Sequence, residues 1–127
     1  MDGSAMRMVG DRRFPIAWPR GTVRTGTVKV DRTARLGNAR VVVDRLQLAA
    51  DAMTIRFSVQ PAEPVAVRLE AGRTRVDVLS VDVDGQTGEA TATVYPLRRS
   101  DRALRIEFLQ GRGRAGAERA EVTVQLP

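Results

Sequence analysis

Asp82-Val83-Asp84-Gly85-Gln86-Thr87-Gly88-Glu89 gathers carboxylates around a tight glycine turn. Hard cations such as calcium favour that arrangement. The stretch resembles part of a calcium loop, but it lacks the third acid of the usual D-x-D-x-D-G pattern, so a plain hairpin turn is the expectation. Asp82 and Glu89 also suggest a glycosidase dyad, whose two carboxylates stand about 5–10 Å apart. Any acidic hairpin supplies such a pair, and no catalytic role is expected of this one. Gly111-Arg112-Gly113-Arg114-Ala115-Gly116 is like the arginine-glycine tracts that grip RNA backbones, without an aromatic for base stacking. Arg98-Arg99 is a second basic pair on a connecting segment. Together Arg98, Arg99, Arg112 and Arg114 are the candidate contacts for a polyanion, provided the two segments share one end of the fold.

The chain has no histidine and no cysteine. That removes zinc sites of the Cys/His kind, Ser-His-Asp and Cys-His nucleophilic machinery, haem ligation through histidine and thiol redox chemistry. A non-enzymatic protein without a cofactor is therefore expected. The net charge is +6, and Lys29 is the only lysine. An anionic partner such as nucleic acid, acidic polysaccharide or phospholipid is one reading of that charge. A GC-rich genome is the other and the preferred one, because the arginines are spread through every segment and often adjoin acids.

What must position these residues is a set of strands. Met53-Thr54-Ile55-Arg56-Phe57-Ser58-Val59 and Leu104-Arg105-Ile106-Glu107-Phe108 alternate apolar and polar side chains, and a period of two gives a strand one dry and one wet face. Val65, Val67 and Leu69 continue the rhythm, as do Ala90, Ala92 and Val94, and Val122, Val124 and Leu126. Thr22 to Val30 reads as a strand with a bulge at Gly26. Ala39 to Leu48 changes inward parity between Val43 and Leu46. A short helix over 44–53 is the rival there, and the strand is preferred because Val41-Val42-Val43 favours extended structure. Val76, Val78, Leu79, Val81 and Val83 shift register, which predicts a bulge or a strand that switches sheets. Seven to nine mainly antiparallel strands and no long helix predict an all-β immunoglobulin-like sandwich.

At 127 residues, 43% of them hydrophobic, the chain is sized for one domain. Residues 1–13 are expected to form a flexible N-terminal segment and 14–127 the sandwich. Phe14-Pro15-Ile16-Ala17-Trp18-Pro19 reads as an extended edge segment or a lid, with Trp18 as a core plug. Tyr95, at a strand end, is expected to anchor a neighbouring loop. No run is long and apolar enough to span a bilayer. The start Met1-Asp2-Gly3-Ser4-Ala5-Met6 has no apolar stretch and reads as artificial, in which case an upstream signal or anchor has been removed.

The basic strand from Thr27, the Gly37-Asn38 turn, Val41-Val42-Val43-Asp44-Arg45-Leu46 and Met53-Thr54-Ile55-Arg56-Phe57 together resemble small immunoglobulin-like extracellular domains of Gram-positive bacterial surface proteins. Some of these follow the membrane helix of anti-sigma-factor-like proteins. Leu104–Phe108 and Val122-Thr123-Val124 suit the same pattern, which covers about three quarters of the chain and rests on strand rhythm. The resemblance implies an extracytoplasmic or cell-surface location and a non-enzymatic interaction or sensing role with a protein partner. It carries no site residues. A monomer or weak dimer is expected, since arginines decorate most strands.

Overall fold

The computed structural model describes residues 23–111 and 118–127. Among these residues nine strands follow in chain order: β1 Gly26–Leu36, β2 Ala39–Leu48, β3 Met53–Gln60, β4 Val65–Ala71, β5 Thr74–Val76, β6 Val78–Val83, β7 Glu89–Val94, β8 Ala103–Gln110 and β9 Arg119–Gln125. They form two antiparallel sheets packed face to face, one of five strands in the order β1-β2-β3-β7-β6 and one of four in the order β5-β4-β8-β9. The protein is a β-sandwich.

The alternation dictates the core. Met53, Ile55, Phe57 and Val59 from β3, and Val65, Val67 and Leu69 from β4, are buried. Leu104, Ile106 and Phe108 from β8 and Val122 and Val124 from β9 join them in the same cluster. Their intervening partners Arg56, Arg68, Arg105 and Thr123 are exposed, and Thr54 and Glu107 are half-buried. Leu109 departs from the rule: it follows buried Phe108 on the opposite parity and is buried too.

Parity changes in the sequence become bulges. The register of β2 against β3 slips between Val43 and Arg45, so Asp44 is the extra residue, and the strand runs on to Leu48 before a turn over 49–52 in place of a helix. The Val76-to-Val78 shift is a change of sheet. β5 pairs with β4, the chain crosses at Asp77, and β6 pairs with β7. The N-terminal strand differs from expectation. Gly26, at φ 118°, begins β1 and is not a bulge within it, and the strand continues to Leu36. Its bulge lies between Lys29 and Arg32, where Asp31 takes φ 49°. Aspartate tolerates that left-handed region better than most side chains, which is why the irregularity settles there.

Candidate functional site

The acidic turn holds itself together. The Asp84 carboxylate accepts from the backbone N–H groups of Gln86 at 2.8 Å and Thr87 at 3.1 Å. The Asp84 N–H donates to the Glu89 carbonyl, and the Gly88 N–H to the Asp84 carbonyl, both at 2.8 Å. The turn is stitched to β3, because the Val59 N–H donates to the Gly88 carbonyl and the Gln60 amide to the Thr87 carbonyl. Asp84 thus acts as a turn-forming acceptor, and among the described residues no group of three potential metal ligands occurs. Asp82 and Glu89 are both exposed, Asp82 lying opposite Thr91 in the ladder and Glu89 opposite Ser58.

The N–H groups of Gln86 and then Thr87 hold the Asp84 carboxyl below its ordinary 3.8. A carboxyl that binds its proton less readily folded than unfolded contributes stability above the unfolded value and loses it as pH falls through the folded one. The melting-temperature gap between the native chain and Asp84→Ala is therefore expected to be constant above about pH 5 and to shrink on acidification below pH 4. A gap independent of pH down to pH 2 would contradict this role for the carboxylate.

Arg98 and Arg99 lie at the end of the sandwich where β7 hands over to β8. Asp101 is the one buried charged residue among those described. Its carboxylate accepts from the Arg98 N–H at 2.8 Å and meets the Arg98 guanidinium at 3.4 Å. Arg24 clamps the same loop by donating to the carbonyls of Arg99, Asp101 and Pro127 at 2.6–2.9 Å. The Arg98 backbone and side chain thus both serve loop closure. Arg112 and Arg114 lie outside the described residues, as do Trp18 and the rest of 1–22. Gly111, where that second loop departs, is hydrogen-bonded to Pro64 at the other end of the sandwich. The eight residues of β8 separate the two ends, about 25 Å at the usual rise of a strand.

The two outer faces treat charge differently, and the sequence conceals this. On the four-stranded sheet, cations and acids alternate across neighbouring strands. Arg105 pairs with Glu70 and reaches Glu121 at 3.9 Å, while Glu107 receives Arg119 at 3.1 Å and Arg68 at 4.0 Å. On the five-stranded sheet, Lys29 lies opposite Arg45 and Arg45 opposite Arg56, three cations in one row across β1, β2 and β3. Arg35 likewise lies opposite Arg40. Asp31 and Asp44, at the two bulges, each approach one of these cations at 3.6 Å.

A third feature is the side formed by β4 and β6. β5 pairs only with Leu69–Ala71, so no described strand covers the Val65–Arg68 stretch of β4 on that side. β6 has β7 on one side and no described strand on the other. Between them opens a cavity of about 320 Å³ lined by Ala62, Glu63, Pro64, Val65, Val81, Val83, Gly85 and Gly111. Val81 and Val83 point toward the core yet remain half-buried, and Leu79, beside the β6 irregularity, is 53% exposed.

Among the described residues no helix is long and apolar enough to cross a membrane. No family model, curated protein or solved structure matches this chain.

Proposed function

We propose that this protein is a non-enzymatic interaction module, the extracytoplasmic part of a bacterial envelope protein, built as an immunoglobulin-like sandwich. The strand order supports that fold assignment. With β1 as an addition, β2-β3-β7-β6 follows the A-B-E-D order and β4-β8-β9 the C-F-G order of such domains. The observation that carries the functional reading is the open β4–β6 side. Unpaired strand edges are templates for another strand, and proteins that do not use them cover, charge or shorten them. Here one such edge runs beside a cavity lined in part by Val65, Val81 and Val83 and carries Leu79, the one large exposed hydrophobic residue among those described.

The occupant is an extended segment of a partner protein that adds to β6 as a strand. Backbone hydrogen bonds would supply affinity, and alternate apolar side chains entering beside Val81 and Val83 would supply selectivity. Glu63 lines the cavity and Asp82 faces outward on β6 beside the open edge, so the segment carries arginine or lysine at its solvent-facing positions. A photo-crosslinking amino acid at position 79 in the source cell is expected to yield an adduct with a discrete protein. The same probe at position 56, on the outer sheet face, is expected to yield none with that protein. Equal adducts from both positions, or none from position 79, would remove this reading.

A further inference from the structure

We infer that the outer face of the five-stranded sheet is a binding site for an anionic polysaccharide, held by Lys29, Arg45 and Arg56 with Arg35 and Arg40 in support. This surface is separate from the β4–β6 side, and its ligand class is different.

The argument begins with a cost. Like charges placed directly opposite on adjacent strands oppose sheet formation. Cβ atoms of such partners stand about 4.5–5.5 Å apart, and Arg45 has a cation opposite it on both sides. The sequence is not short of acids that would relieve this. The same chain neutralises the other sheet's outer face almost completely with Glu70, Glu107 and Glu121. Among the described residues Arg35, Arg40 and Arg56 have no ion-pair partner. A surface of this kind is unfavourable alone and favourable once an anion lies across it, because each cation then meets a negative group in place of another cation.

The rest of the face selects among polyanions. The row beside the three cations consists of Thr27, Gln47, Thr54, Thr93 and Ser80. These side chains hydrogen-bond to sugar hydroxyls as readily as to water. Among the described residues no aromatic stands on the strand positions of this face, so none of them offers unstacked nucleic acid bases a platform. Glu89 on β7, opposite Ser58, and Asp82 on the β6 edge, opposite Thr91, bound the cationic row on that side, which confines a polyanion to β1–β3. Sulfate, carboxylate and phosphate groups on a glycan present the same chemistry to this row, and the measurement separates them.

The full chain is titrated at low and physiological salt with three labelled probes: a highly sulfated glycosaminoglycan oligosaccharide, a uronate oligosaccharide without sulfate, and a 12-nucleotide DNA strand. Binding to at least one glycan is expected, weakened roughly tenfold by Arg56→Gln and by Arg45→Gln, with a shallower salt dependence in each. Arg105→Gln, on the self-neutralised face, is expected to leave affinity within twofold of native. The unliganded Arg56→Gln chain is expected to melt no lower than native, which a purely structural arginine would not permit. Lys29→Gln repeats the test should either arginine variant fail to fold. Three results would each overturn the inference: no glycan binding at low salt, equal weakening by Arg105→Gln and Arg56→Gln, or DNA bound more tightly than either glycan.

Discussion

Replacing Phe108 with alanine is expected to lower the free energy of unfolding by about 3–5 kcal/mol, the range for removing a fully buried aromatic ring. Among the described residues Phe108 is the largest of the completely buried side chains, and it comes from β8, in the middle of its sheet. Its ring lies 5.0 Å from that of Phe57, tilted by 52°, so the two sheets meet at this aromatic pair. Tilted pairs at that separation contribute about 0.5–1.5 kcal/mol beyond the area they bury. Phe57→Ala should therefore cost a similar 3–5 kcal/mol, and the double variant should cost less than the sum of the two. Arg56, one residue from Phe57 but facing solvent, provides the contrast, with Arg56→Ala changing stability by no more than about 0.5 kcal/mol. Urea melts of the four variants decide the matter. Equal losses at Phe57 and Arg56 would mean that the alternation does not define the core.

Gly88→Ala is the second large effect. A Cβ at this position would lie 2.2 Å from the Val59 carbonyl oxygen, and the residue takes φ 79°, where a side chain is strained in any case. Backbone strain of this kind costs about 1–3 kcal/mol, and the steric conflict adds to it because the opposing atom is itself backbone. The turn must move, and with it the Val59-to-Gly88 hydrogen bond that fastens β3 to β7. Gly72 separates the two contributions. It has φ 64° with open space around it, so Gly72→Ala should show the strain alone and melt well above Gly88→Ala. Indistinguishable melts would show that contact with Val59 is not what requires a glycine.

Most of the strands are legible in the sequence, for a physical reason. A sandwich strand is dry on one face and wet on the other, so β3, β4, β7, β8 and β9 carry their orientation in alternate residues. The crossing at Asp77 and the bulge at Asp44 are legible as well, because each leaves a parity error in an otherwise regular run. β1 is harder. It is an edge strand whose inward residues Val28, Val30 and Ala34 are only half-buried, and its polar insertion Asp31 removes the signal where the strand turns irregular. Leu109 is buried against its parity, and nothing in the local pattern announces it.

The charged faces show where local pattern runs out. Arg98 and Arg99 stand out in sequence because they are adjacent, yet the structure engages Arg98 in closing its own loop with Asp101. Lys29, Arg45 and Arg56 are scattered in sequence and form one row in space. Their alignment depends on how β1 and β2 are registered past two bulges, and register is a property of paired strands that neither strand carries alone. An arginine count distinguishes a basic chain from a neutral one. Only the pairing shows that one sheet resolves its charges and the other does not.

The topology also bears on how the protein is made. The first three strands form hairpins with their neighbours in sequence, but the opposing layer, begun by β4 and β5, is not complete until β8 and β9, the last two to be synthesised. From Phe57 to the Phe108 that covers it, the ribosome must add about 50 residues, which takes roughly 3–10 s at 5–20 residues per second. Throughout that interval the apolar side of the nascent β1–β3 meander lacks the cover that β8 and β9 supply, while its cationic side is already complete. Maturation is thus timed by the arrival of the C-terminal strands, however fast the early hairpins close, and a pause or truncation before residue 103 leaves the five-stranded sheet opposed only by β4 and β5, with the part of the interior that β8 and β9 cover exposed.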